Sequence, residues 1–310
     1  MIMKATLCLL ITCILTDIAY TQSPPTQHAW KVILKVVDES GNPIAGAKAS
    51  VGYYSHSQAA SIGGLTDTNG AFTASHDAYS GELGFSAEKT GYYITREGYD
   101  LGFTYDSARW NPNPVLVLKE IIKPIPMYAK SLNTHVPDLD KPVGYDLMTG
   151  DWVGPYGKGI NADILFTGHF EKYTNGESDF TLTVSFPNHG DGIQEFHAPA
   201  LAQNGPYSGL RSSQTAPEDG YEAQWVQTDN RGPGHPIETS RNPNRNYYFR
   251  VRTKMDDGGR ILSAHYGKIY GDFMQFKYYF NPTPNDRNVE FDPKQNLLQN
   301  LKEGEGVGSP

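Results

Sequence analysis

The chain has 310 residues and a formal net charge of −8, with 34 acidic against 26 basic side chains. Without a cluster of lysine or arginine to neutralise phosphates, this balance argues against a nucleic-acid partner. Tyrosine, phenylalanine, glycine and proline are plentiful, and no stretch keeps a 3.6-residue apolar period, so the sequence predicts an all-β protein.

The N-terminus has the pattern of a secretory signal peptide. A cationic start, residues 1–4, precedes an apolar run at residues 5–15 that is too short to span a bilayer. We expect residues 1–22 to be removed, which predicts a secreted, periplasmic or cell-envelope protein with no membrane span after cleavage. A lipoprotein anchored through Cys13 is the alternative. Ordinary cleavage removes Cys8 and Cys13, so the mature chain then has no disulfide or thiol ligand.

The next region predicts short strands joined by turns. Val32, Leu34 and Val36 alternate with less apolar residues, which indicates a first strand. Residues 40–43, Ser-Gly-Asn-Pro, supply turn chemistry before a second strand that begins near Ala47.

A second turn signal, Asp-Thr-Asn-Gly at residues 67–70, predicts a hairpin in which Phe72 is the first bulky residue after the turn. Another alternating strand follows over residues 81–93. Residues 115–118 predict the last strand of this first group of strands.

Motifs in this region carry a family resemblance. In chain order they are Val37-Asp38, Gly41-x-Pro43-Ile44-x-Gly46-Ala47, Thr66-Asp67-x-Asn69-Gly70-x-Phe72 and Lys89-x-Gly91-Tyr92. In order and spacing they resemble the carboxypeptidase regulatory-like domains, over about residues 30–119. The resemblance implies a prealbumin-like, seven-stranded β-sandwich that serves as a non-catalytic spacer, stabiliser or binding unit. One departure is a long insert after Tyr93.

Proline spacing divides the chain. Residues 123–142 predict an extended connector between a first β-sandwich domain, 29–122, and a second domain, 143–295. The second domain predicts another β-sandwich or jelly-roll-like fold, with Asp-Asp-Gly-Gly at 256–259 as its clearest hairpin turn. Residues 296–310 lose apolar content towards the end and predict a flexible tail.

Aromatic residues in loops are the candidates for ligand binding. Trp110, Trp152 and Tyr156 lie in segments rich in glycine and proline. Such rings can stack on the apolar faces of sugars, and a tyrosine hydroxyl adds a hydrogen bond. The alternative is that these rings belong to the core.

One acidic segment is a candidate for Ca²⁺. Oxygen-bearing side chains occur at every second position, at Asp286, Asn288, Glu290 and Asp292. Carboxylate and amide oxygens are the ligands that Ca²⁺ prefers, although the glycine turn and final glutamate of an EF-hand are missing. The alternative is a solvated strand edge, and we predict no other cofactor.

No catalytic motif occurs in the sequence: a serine elbow, a phosphate loop and a dinucleotide-binding glycine pattern are all missing. The sequence therefore favours an exported, non-catalytic binding or surface-interaction protein. Carbohydrate is the favoured ligand class, with a glycan or another cell-surface component as partner. Two alternatives remain open, a secreted hydrolase with its active site in the second domain and a structural envelope component.

Overall fold

The computed structural model describes residues 27–310 apart from 56–57, 103, 134, 199–206 and 235. Strands and turns make up this part of the chain, which confirms the all-β prediction, and it holds no helix that could cross a membrane. The predicted signal peptide lies outside the described residues.

The strands are, in chain order, β1 (His28–Val37), β2 (Lys48–Tyr54), β3 (Ala59–Leu65), β4 (Ala71–Ala78), β5 (Gly81–Glu88), β6 (Thr95–Gly102), β7 (Val115–Val117), β8 (Ile125–Asn133), β9 (Val143–Asp146), β10 (Asp151–Trp152), β11 (Ile164–Lys172), β12 (Ser178–Ser185), β13 (Gly192–His197), β14 (Tyr207–Ser208), β15 (Gln224–Asn230), β16 (Glu238–Thr239), β17 (Arg245–Met255), β18 (Ile261–Asp272), β19 (Gln275–Phe280) and β20 (Phe291–Asn296).

Strands β1 to β7 form the first sandwich. One sheet has the strand order β4-β1-β7, and the other has the order β14-β6-β5-β2-β3. Every second residue of β1, from Trp30 through Val32 and Leu34 to Val36, is fully buried between the sheets, as the alternation predicts. The expected sandwich is therefore confirmed, whereas the resemblance to the carboxypeptidase regulatory-like family stays a prediction.

The predicted turn after β3 forms, but it joins strands of different sheets. Asp67 Oδ1 accepts hydrogen bonds from the backbone N–H groups of Asn69 and Ala71, each at 2.8 Å. Gly70 has a φ of +72°, and a Cβ there would clash with the carbonyl oxygen of Val36. Because β3 pairs with β2 whereas β4 pairs with β1, the predicted hairpin is wrong. The chain crosses between the two sheets at this point.

Residues 123–142, predicted as a connector, instead contribute a strand to the second sandwich. Strand β8 lies between β19 and β20, and it pairs antiparallel with β19 from Tyr128 to Asn133. Pro126 precedes this pairing, so its missing N–H interrupts no bond to β19. The second sandwich therefore begins at Ile125.

The second sandwich consists of two six-stranded sheets. Their strand orders are β10-β9-β11-β12-β15-β16 and β13-β17-β18-β19-β8-β20. Aromatic residues dominate the core between them, including Tyr145, Phe166 and Phe249. The hairpin predicted at residues 256–259 is confirmed, because β17 and β18 pair on either side of it.

The tail, residues 296–310, packs on the second sandwich, so the prediction of a flexible tail is wrong. Val307 is buried in an apolar cluster on the outer face of the β18–β19 sheet. Glu305 forms an ion pair with Lys130 at 3.1 Å, and the Tyr279 hydroxyl donates to the carbonyl oxygen of Ser309 at 2.9 Å. These contacts hold a segment whose composition alone suggested fraying.

The second half of the sequence also completes the first sandwich. Strand β14 pairs antiparallel with the edge of β6, with Tyr207 opposite Arg96. Just after β14, the backbone oxygen of Ser212 accepts a hydrogen bond from Lys119 Nζ at 2.8 Å. The two sandwiches are therefore joined by backbone pairing and side-chain contacts in addition to the chain connection.

Candidate functional site

An open cleft of about 350 Å³ lies at one end of the second sandwich. Small-molecule sites typically enclose roughly 300–1,000 Å³, so the cleft is large enough for a small ligand. Its lining is mostly apolar, with a few polar groups: His135, Val136, Leu139, Phe170, Ser178, Phe180, Leu182, Asp229, Arg241 and Met274.

Strand register brings the aromatic floor of the cleft together. Phe170 on β11 lies directly opposite Phe180 on β12, and the backbone N–H of Phe180 bonds to Asn230 Oδ1 of β15 at 3.2 Å. Phe180 is half-buried against the core, whereas Phe170 is 53% exposed. An apolar ring of this size is usually covered, so its exposure at a cleft is a feature of binding sites.

The segment before β9 forms one wall of the cleft. The carbonyl oxygen of Leu139 accepts a hydrogen bond from the backbone N–H of Gly168 at 2.9 Å. A Cβ at Gly168 would lie 2.7 Å from Leu139 Cδ2 and 3.0 Å from the carbonyl oxygen of Thr181, so glycine lets the segment pass close to β11 without a shift of these neighbours. This contact positions Val136 and His135 at the edge of the cleft.

Charged groups occupy the other side of the cleft. Asp229 has a side chain only 13% exposed, and its Oδ2 bonds to Arg241 Nη2 at 2.8 Å. Its Oδ1 accepts from Arg231 Nε at 3.0 Å. Two guanidinium groups on one carboxylate leave a local excess of positive charge. Arg241 thus faces the cleft as a fixed donor with hydrogen-bonding capacity to spare.

Trp110, a predicted ligand-binding residue, lies in the core of the first sandwich. Its side chain is fully buried, and it packs edge-on against Tyr105 at 5.4 Å between ring centroids. The backbone of the supposed loop turns back on itself, with Trp110 N–H bonding to the carbonyl oxygen of Asp106 and Lys31 N–H bonding to that of Trp110. The prediction of a ligand contact at Trp110 is therefore wrong.

Trp152 and Tyr156 lie in the second sandwich. The half-buried Trp152 ring packs edge-on against Tyr145 and Phe166, at 5.1 and 5.5 Å between centroids. Tyr156 is 41% exposed, and its hydroxyl donates to Asp138 Oδ2 at 3.0 Å, which raises the pKa of the phenol. Tyr156 thus contacts the segment that forms the cleft wall. A ligand contact at these two residues stays a prediction.

The four residues predicted to bind Ca²⁺ do not form one site. Asp286 and Asn288 accept hydrogen bonds from the backbone N–H groups two residues further on, at 3.0 and 2.8 Å. Glu290 is buried and accepts from the Tyr93 hydroxyl at 2.8 Å, while Asp292 accepts from the Lys294 N–H at 3.0 Å. No group of three or more histidine, cysteine, aspartate or glutamate residues in the described part of the chain is placed to hold a metal ion.

Sequence reasoning missed the residues of the cleft. Phe170, Asp229 and Arg241 belong to different strands and loops, and their spacing carries no periodic signal. His135 falls in the segment predicted as a connector. The one available signal was Phe170 itself, a bulky apolar residue followed by the charged pair Glu171 and Lys172 at the end of a strand.

Comparisons with known proteins give loose structural overlaps. No protein-family model and no curated protein matches the sequence. Similar solved structures include a streptococcal ancillary pilin, at 10% identity and a TM-score of 0.25, covering 85% of this chain and 61% of that chain. A DUF3823 family protein from Parabacteroides merdae is 8% identical with a TM-score of 0.22, covering 85% and 98%.

The shaft pilin spaA from Lactobacillus rhamnosus GG is 9% identical with a TM-score of 0.22, covering 85% of this chain and 94% of that chain. The coverage of 61% means that this chain spans less than two thirds of the length of the ancillary pilin. Structural similarities this weak support no conclusion about function. The function is therefore argued from the geometry of the cleft.

Proposed function

We propose that this chain is an exported, non-catalytic binding protein that takes a carbohydrate in the end cleft of its second sandwich. The observation that carries the proposal is the exposed Phe170 ring in a cleft whose other side holds Arg241. Export rests on the signal-peptide pattern at residues 1–22. An exported protein would then meet its ligand at the cell surface or in the surrounding medium.

The chemistry of the cleft suits a sugar. One face of a pyranose ring presents C–H groups that can stack on Phe170, and its hydroxyl groups need hydrogen-bond partners at the edges. Arg241 supplies donors, Ser178 supplies a hydroxyl group, and His135 supplies ring nitrogens. Because Asp229 fixes Arg241, little side-chain freedom is lost when the ligand binds.

Hydrolysis in this cleft is disfavoured. Glycoside hydrolysis ordinarily needs two carboxyl groups, one of them able to donate a proton. Among the described residues that line the cleft, Asp229 is the one carboxylate, and both of its oxygens bond to guanidinium groups. Asp229 therefore positions Arg241, which fits binding better than catalysis.

A glycan array followed by titration calorimetry tests this proposal. We expect the full chain to bind a subset of immobilised glycans, and Phe170→Ala to weaken binding in solution about fivefold, because an aromatic stacking contact contributes about 1 kcal/mol. Tyr54→Ala is the matched control, since Tyr54 is 59% exposed in the first sandwich. Circular dichroism would establish that both variants remain folded.

Two results would contradict the proposal. One is an array on which the folded chain binds no glycan. The other is a glycan whose affinity Phe170→Ala leaves unchanged, or which Tyr54→Ala weakens as much.

A further inference from the structure

A second groove of about 360 Å³ lies near the junction of the two sandwiches. It is bounded by β14 and the residues after it, by the end of the tail, and by the outer face of the β18–β19 sheet. The lining is Ser131, Tyr207, Arg211, Pro243, Tyr270, Gly271, Asp272, Gln275, Phe276, Lys277, Ser309 and Pro310. Two of these side chains, Arg211 and Lys277, are cationic.

Arg211 lies in this groove, and no carboxylate among the described residues forms an ion pair with it. Its Nη2 donates to the carbonyl oxygen of Ala198 at 3.1 Å, and its guanidinium lies over the Tyr270 ring, 5.0 Å from the centroid. Its Nε is buried and has no hydrogen-bond partner among the described residues. The neighbouring sequence at 199–206 contains no aspartate or glutamate. A partly buried guanidinium normally has an anionic partner.

Two lysines, Lys119 and Lys268, lie beneath the groove. Lys268 is fully buried between the rings of Tyr270 and Tyr279, and its Nζ donates to Ser212 Oγ at 3.1 Å. Burial lowers the pKa of Lys268 well below its usual value, and the negative charge of Glu290 opposes this shift only in part. Burial also lowers the pKa of Lys119, which bonds to the backbone of the same serine.

The rim of the groove carries one cationic and one acidic side chain, Lys277 and Asp272. Lys277 on β19 is exposed and lies opposite both Tyr270 and Ser131 in the sheet register. Asp272 is the acidic side chain of the lining, and its Oδ1 accepts hydrogen bonds from the backbone N–H groups of Met274 and Gln275. Its charge is thus partly offset by the turn that it stabilises. Arg211 and Lys277 together outweigh it.

We propose that this groove binds a carboxylate, with Arg211 as the principal anion-binding residue and Lys277 as a second cation. A guanidinium matches the geometry of a carboxylate, and a rigid, partly desolvated guanidinium gains most from such a partner. The stacked Tyr270 ring fixes the orientation of Arg211 beforehand. Carboxylates of two origins fit, an acidic sugar or the end of a peptide chain. This site lies apart from the end cleft, and its occupation does not depend on the proposed function.

Nuclear magnetic resonance titration of the full chain tests the proposal. The probes are glucuronic acid and N-acetylproline, and glucose is the uncharged control. We expect at least one acid to shift amide resonances around the groove, and its affinity to fall about tenfold in Lys277→Gln and more in Arg211→Gln. Added salt should weaken binding, because ionic strength screens exposed charges. Which acid binds distinguishes the two origins.

Two control variants show whether a loss of affinity is specific to the groove. Lys294→Gln removes an exposed lysine on β20 that does not line the groove, and it should leave the affinity unchanged. Phe170→Ala should also leave it unchanged, which separates this site from the end cleft. Lys277 is exposed, so its variant stays informative even if Arg211→Gln fails to fold. Binding of neither acid, equal binding of glucose, or indifference to Lys277→Gln would overturn the proposal.

Discussion

Arg252→Ala is expected to lower the free energy of unfolding by about 3–5 kcal/mol at neutral pH, since it leaves two buried carboxylates without their cation. Arg252 Nε donates to Asp163 Oδ1 at 2.7 Å, and Nη2 donates to Asp146 Oδ1 at 3.1 Å. The two carboxylate side chains are only 1% and 2% exposed. Chemical denaturation at pH 7 measures the loss.

The backbone shows how specifically Arg252 is placed. A register shift between Val251 and Lys254 marks a bulge in β17, and Arg252 has a φ of 57°. The bulge turns the guanidinium towards the opposite sheet, where Asp146 is the last residue of β9 and Asp163 immediately precedes β11. A residue held in this left-handed conformation costs about 1–3 kcal/mol, which the ion pairs offset.

The pKa values of the two carboxyl groups set the pH dependence. Burial raises the pKa of Asp163 and is only partly opposed by Arg252. Burial also opposes ionisation of Asp146, but hydrogen bonds from the backbone of Ile160 and Asn161 lower its pKa below 3.8. The contribution of Asp146 to stability is therefore present above pH 3.8 and is lost as the pH falls through the lower folded value.

Arg260→Ala is the matched control for Arg252→Ala. Arg260 also pairs with an aspartate, Asp256, at 3.1 Å, but its side chain is 80% exposed. An exposed pair of this kind contributes less than about 1 kcal/mol. Similar losses for the two variants would mean that burial of the Asp146–Asp163 pair is unimportant.

Glu290→Ala is expected to cost roughly 2–4 kcal/mol, because three donors at the junction of the sandwiches lose their acceptor. Glu290 accepts from the Tyr93 hydroxyl at 2.8 Å and from the backbone N–H groups of Ile122 and Lys123 at 3.0 and 2.6 Å. Burial and the hydrogen bond to Glu290 raise the pKa of Tyr93. The variant should also weaken the coupling of the two sandwiches, so that calorimetry resolves two transitions in place of one.

Asp292→Ala provides the control two residues further along the chain. Among the described residues, its carboxylate bonds to the nearby Lys294 N–H and Gln295 side chain alone, so its removal should change stability by less than about 0.5 kcal/mol. A loss for Glu290→Ala no larger than that of Asp292→Ala would show that the junction does not depend on Glu290.

The sequence predicted those features of the fold that depend on neighbouring residues, namely strands and turns. The alternation from Trp30 to Val36 predicted a strand, and the aspartates and glycines predicted the turns at residues 67–70 and 256–259, all of which form. A turn does not specify which strands pair on its two sides, however. The strand after Gly70 therefore joins β1 in the other sheet rather than β3.

The features that the sequence did not predict depend on contacts between residues far apart in the chain. Pro126 suggested a connector, but a strand tolerates proline where no bond to its neighbour is needed. Trp110 lies in a turn, and its burial depends on β1, where the Lys31 N–H bonds to its carbonyl oxygen and the His28 ring contacts it edge-on. The end cleft requires Leu139, Phe170 and Arg241 to meet across three separate segments, which no local pattern encodes.

The most direct test of carbohydrate binding in the end cleft is to titrate ¹⁵N-labelled protein with the strongest glycan from the array. We predict that the largest shifts of amide resonances fall on residues 135–139, on 170–182, and on Asp229 and Arg241. Shifts confined to the first sandwich around Tyr54, or to the loop that carries Trp152 and Tyr156, would contradict the assignment of the ligand to this cleft.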